Sequence, residues 1–196
     1  MNLSSYKDAK TTLISGDYSV ENYFIQNNFV LEYGYCRLLS GDTKTALNSF
    51  NELTDIDFRA NWAAKLIQII TNSIIETPSY FQIRNFLEID LNLLLEAGQA
   101  EFVETIINRD DLLSSINLES YKFISRVMLN NDFYEVALFY LHKAKNNFYT
   151  DPEMHFMLAN CYLKIGEKQL AKESINNCLR ILPEYYPAKK LLLTLD

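Results

Sequence analysis

Few side chains in this chain are spaced for bond-making chemistry. The two histidines, His142 and His155, have no Cys, Asp or Glu partner at metal-ligand spacing. The carboxylate pairs Glu101/Glu104 and Asp110-Asp111 have no other reactive group near them in sequence, so solvated surface charge explains them. The five glycines are too scattered for a phosphate-binding loop, and neither GxSxG nor GxGxxG occurs. Cys36, Cys161 and Cys178 are odd in number and form no CxxC pair. They read as packed thiols of a reducing compartment, with a Cys161/Cys178 redox pair as the alternative. No catalytic residue, metal site or cofactor is expected, and an enzyme would need a cleft of clustered titratable groups that the sequence does not announce.

If chemistry does not organise the chain, helices do. Five Gly and four Pro in 196 residues are few, which disfavours a turn-rich β sandwich and favours long helices. With 48% apolar and 22% charged residues the chain can bury a core. The net charge of −7 and a pI near 4.9 oppose nucleic-acid binding. The charge is uneven: residues 1–117 carry 8 Lys/Arg against 16 Asp/Glu, and residues 118–196 carry 10 against 9. Met1–Lys10 shows no signal-peptide pattern, and the apolar stretch Leu66–Ile75 is interrupted by Gln68, Thr71, Asn72 and Ser73. The expectation is a soluble, cytoplasmic protein without a membrane span.

The helical segments repeat. From His155 the order is His155, Leu158, Ala159, Tyr162, Gly166, Ala171, Ile175, Cys178 and Pro183. Thirty-four residues earlier, most of the same slots hold Tyr121, Ile124, Ser125, Met128, Ala137, Leu141 and Ala144. Another 34 earlier they hold Leu87, Asp90, Leu91, Leu94, Gly98, Val103 and Ile107. An out-of-phase copy reads Val30, Tyr33, Gly34, Arg37, Gly41, Ala46, Phe50 and Leu53. Each unit predicts two amphipathic helices, such as Leu158, Cys161, Tyr162 and Ile165 facing Leu170, Ala171, Ile175 and Cys178. Small residues at Ser125, Ala137, Ala159 and Ala171 predict close helix crossings. Gly166 predicts a helix C-cap, and Asp151-Pro152 a helix start.

These slots resemble the tetratricopeptide repeat. The resemblance implies an all-α fold in which αα-hairpins stack into a right-handed superhelical array, here one domain over 1–196. Its parts would be an N-terminal helix at 3–14, a repeat at 27–60, an inserted helix at 59–76, repeats at 84–117, 118–151 and 152–185, and a capping helix at 185–195. Asp90 and Leu91 make the repeat at 84–117 the most divergent.

In that family the first helix of each repeat lines a concave, peptide-binding surface. Carried over slot by slot, the lining would be Leu31, Glu32, Tyr35 and Leu38; Glu88, Ile89, Asn92 and Leu95; Lys122, Phe123, Arg126, Leu129 and Asn130; and Phe156, Met157, Asn160, Leu163 and Lys164. The candidate peptide-binding residues are Lys122, Phe123, Arg126, Phe156, Met157, Asn160 and Lys164. Lys122 and Arg126 stand one helical turn apart, and such a cation pair suits an acidic segment between them. Phe123, Phe156 and Met157 would anchor an apolar side chain. The implied function is a non-enzymatic adaptor or scaffold whose partner is a protein carrying an acidic and apolar segment, with homo-oligomers also open. The rival is a small acidic chaperone holding an apolar client, as in bacterial secretion systems.

Overall fold

A computed structural model describes residues 22–24, 26–73 and 76–195, and the described residues are helical with no strand. The helix expected at 3–14 lies outside them. The chain divides into two compact units, residues 1–111 and 112–196. No helix among the described residues is long and apolar enough to cross a membrane.

In the first unit, α1 (Val30–Leu39) and α2 (Thr43–Asn51) form a hairpin. Asp42 caps α2 by accepting from the Thr45 amide. Helix α3 (Phe58–Ile70) starts at an Asp57 cap and is the helix read from sequence as an insertion. It is not peripheral. Ala60, Trp62, Ala63, Ala64, Leu66, Ile67, Ile69 and Ile70 are all buried, on every side of the helix, and α3 packs on α2, α4 (Tyr80–Glu96) and α5 (Ala100–Ile107). A helix apolar all round belongs in a core, and each fully buried Leu or Ile contributes about 1.5–3 kcal/mol. The helix ends at Ile70, short of the expected residue 76, with Asn72 in the left-handed region (φ 51°).

Helix α4 begins at Tyr80, because Ser79 and Gln82 form a reciprocal capping box. The stretch expected as a two-helix repeat at 84–117 therefore holds three helices: α4, α5 and the short α6 (Asp110–Ile116), which spans the boundary between the units.

The second unit comprises α7 (Ser120–Asn130), α8 (Tyr134–Lys145), α9 (Pro152–Lys164), α10 (Lys168–Ile181) and α11 (Tyr186–Leu192). Each packs on the next, and α7 also meets α9. Ser125, Ala137, Ala159 and Ala171 are completely buried, as small residues at crossings must be. Asp151 accepts from the Glu153 amide with Pro152 behind it, so α9 starts where the sequence places it. Ala188 of α11, with Tyr185, Leu191, Leu192 and Leu195, covers Ala159, Ile175 and Cys178. Ile165 and Leu170, expected in the apolar stripe, are exposed at the hairpin's turn end.

One backbone feature recurs. Gly98, Asp132 and Gly166, each 34 residues apart, have φ of 78°, 65° and 86°. At each, the left-handed residue donates to the carbonyl three back, and its successor donates to the carbonyl five further back from itself: Gln99 to Leu94, Phe133 to Met128 and Glu167 to Tyr162. This is the Schellman termination of a helix. Gly41 (φ 93°) and Asp42 close α1 the same way, with Asp42 donating to Arg37. Asp132 tolerates the slot because its short polar side chain lowers the left-handed penalty.

Candidate functional site

A groove in the second unit collects five of the seven candidate residues. Helix α7 supplies Arg126, Leu129 and Asn130, α9 supplies Glu153, Phe156, Met157, Asn160 and Lys164, and Asp132 and Tyr185 complete the lining. The cavity measures about 510 Å³, within the range of small-ligand and side-chain pockets. Its apolar part is Leu129, Met157 and Phe156, whose ring meets that of Tyr185 edge-on at 5.4 Å. Burial pushes the Tyr185 phenol above its ordinary range, so it is a neutral hydroxyl at physiological pH.

The charges around this groove are largely matched within the protein. Arg126 Nη2 lies 2.7 Å from Glu153 Oε1. Lys122 does not line the groove. It is only 7% exposed, with its ammonium on Asp151 and 3.6 Å from Glu153 Oε2, and it lies over the Phe148 ring at 5.2 Å. The anion expected between Lys122 and Arg126 is thus supplied by residues opening α9. Phe123 is partly buried and also lies outside the groove lining. Lys164 is exposed at the rim, 5.8 Å from the Tyr134 ring centre, and Tyr134 in turn donates to Asp132. Asn160, which lines the groove, donates from Nδ2 to the Phe156 carbonyl at 2.9 Å, and its side-chain oxygen remains an acceptor.

The remaining reactive groups are engaged elsewhere. His155 is buried with Nε2 2.9 Å from the Tyr149 carbonyl, and His142 meets the Tyr162 hydroxyl at 3.2 Å on the surface. Burial pushes the thiols of Cys36 and Cys178 up to about 11 and that of Cys161 up to about 12, so all three are protonated at neutral pH. Glu101 and Glu104 are exposed. Among the described residues no group of three His, Cys, Asp or Glu is placed to hold a metal ion.

Sequence reasoning missed a polar cluster in the first unit. Asp90 of α4 is buried and accepts from the Arg59 guanidinium, the Trp62 indole and, at 3.4 Å, the Tyr35 hydroxyl. Arg59 is sandwiched between Tyr35 and Phe86, 4.9 and 4.4 Å from their ring centres. Burial pushes the Asp90 carboxyl up to about 6, against the pull of Arg59 and of the Trp62 and Tyr35 donors. The signal was present: a carboxylate in a slot expected to hold Leu, with Arg59 and Trp62 on one face of the preceding helix. The cluster ties α1, α3 and α4 together with one acceptor.

No known family's sequence profile matches this chain, and no curated protein is significantly similar to it.

Proposed function

We propose that this chain is a non-enzymatic adaptor of the tetratricopeptide type that holds a peptide segment of a partner protein in the α7/α9 groove. The recurrence of one helix termination at Gly98, Asp132 and Gly166 supports a 34-residue repeat. The observation that carries the function is the groove: apolar floor residues Leu129, Phe156 and Met157 beside the polar side chains of Asn160 and Lys164. An apolar floor with a few convergent polar groups is what an extended segment with one anchoring side chain requires. Arg126 and Lys122 already hold Glu153 and Asp151, so an acidic residue of the partner is best served by Lys164.

Peptides selected from a random display library on the immobilised full chain should bind it in titration calorimetry. Asn160→Ala combined with Lys164→Glu changes the two polar groove side chains and should weaken them at least about tenfold, or 1.4 kcal/mol. Selected peptides that bind this variant as tightly as the parent would remove the groove from the reading.

A further inference from the structure

The first unit carries an apolar face that nothing in the chain's core requires. Phe58, the first residue of α3, is 50% exposed, and its ring centre is 5.7 Å from that of Phe86 on α4. Ile89 follows Phe86 by three residues on the same side of α4 and is 51% exposed. Ile56, in the loop leading to Phe58, is 82% exposed. Single exposed apolar residues are ordinary, but adjacent ones on two helices make a patch that marks an interaction surface.

The chemistry around this patch has one sign. Glu52 and Asp55 are exposed in the segment running up to Phe58. Arg59 lies over the Phe86 ring, but its guanidinium is bound to the buried Asp90, which fixes the floor and matches that charge. Arg84, the one cation of α4, stands about 160° around the helix from Phe86, and Glu88 stands equally far round on the flank of Arg84, so neither borders the patch. The surrounding sequence agrees, with 16 Asp/Glu to 8 Lys/Arg over residues 1–117.

We propose that this face docks a cationic amphipathic helix of a partner protein, its apolar side on Phe58, Phe86 and Ile89 and its Lys or Arg side chains toward Glu52 and Asp55. Charge complementarity selects this occupant: an acidic helix would face like charge, and a neutral apolar one would leave the carboxylate frame unused. The face belongs to the first unit and is independent of the α7/α9 groove.

The probes are two 18-residue synthetic peptides of identical Leu/Lys composition. One has Leu along a single helical face, and in the other Leu is scattered around the helix. Fluorescence anisotropy with the full chain should show the amphipathic isomer binding at least about tenfold tighter, with affinity falling as salt rises. Phe58→Ser with Ile89→Ser, both on exposed side chains, should bring the two isomers to near equality while circular dichroism stays unchanged. The Asn160→Ala/Lys164→Glu groove variant should retain the tenfold preference. Equal binding of the isomers to the parent protein would reduce the contact to unspecific charge and overturn the proposal. So would a double variant that keeps the preference. Sedimentation showing that the parent protein dimerises without peptide, and that the double variant does not, would assign the face to a second copy instead.

Discussion

Asp90 provides the sharpest test of the fold, because the chain has a single tryptophan and Trp62 donates directly to that carboxylate. An Asp carboxyl titrates near 3.9 in an unfolded chain and at about 6 in this fold, where burial outweighs the donors around it. The folded state therefore binds more protons between these two values. The resulting stability is fully present below about pH 4 and is lost as the pH rises through about 6. At about 1.4 kcal/mol per pH unit the loss amounts to about 3 kcal/mol. Asp90→Asn keeps the shape and an acceptor oxygen but cannot titrate. Denaturant unfolding followed by Trp62 fluorescence, which reads the first unit, should be run on both proteins from pH 4 to 7.5. The parent should lose about 2 kcal/mol of this relative to the variant over that range, and other carboxylates cancel in the difference. Fluorescence of the folded parent should also titrate with a midpoint near 6, and that of the variant should not. A parent that instead gains stability over the variant as the pH rises would show that the Arg59 pair outweighs burial, and the reasoning would fail.

Two further substitutions test the packing. A Cβ at Gly34 would lie 2.5 Å from the ring of the fully buried Phe50, so Gly34→Ala should destabilise the first unit by about 1–3 kcal/mol in denaturant melts. Lys122→Glu would bury a carboxylate against Asp151 and Glu153, so it should lower the thermal midpoint well beyond Lys164→Glu at the exposed rim, measured by circular dichroism.

The helices most legible in the sequence are those whose ends are written locally. Asp151-Pro152 and Gly166 bracket α9, and the structure uses both as the sequence implies. Helix α4 shows the limit: its start is fixed by the Ser79/Gln82 box, while the repeat alignment places the boundary at 84. Local capping chemistry wins because the unsatisfied amides of a helix start need a partner wherever the helix begins. The role of α3 was harder to read. Trp62, Ala63, Leu66, Ile67 and Ile70 give a helical stripe, but Ala60, Ala64 and Ile69 make the remaining sides apolar too. Whether such a helix is central depends on what surrounds it, and that is set by contacts with α2, α4 and α5, outside the helix's own sequence.

The candidate site was legible to the extent that it depends on helix periodicity. Arg126, Phe156, Met157, Asn160 and Lys164 share the groove because residues three, four, seven or eight apart share a helix face, and α7 meets α9. What periodicity along one helix cannot reveal is the charge brought in by another helix packed on it. Lys122 and Arg126 read as a bare cation pair when α7 is taken alone. Asp151 and Glu153 enter only because α9, the next helix but one, starts with an acidic cap, where a carboxylate satisfies backbone amides. The same two side chains then neutralise the cations of α7. An N-cap requirement within one helix has thus settled the electrostatics of its neighbour. This leaves the binding potential of the groove with its apolar floor, the Asn160 side-chain oxygen and the Lys164 ammonium.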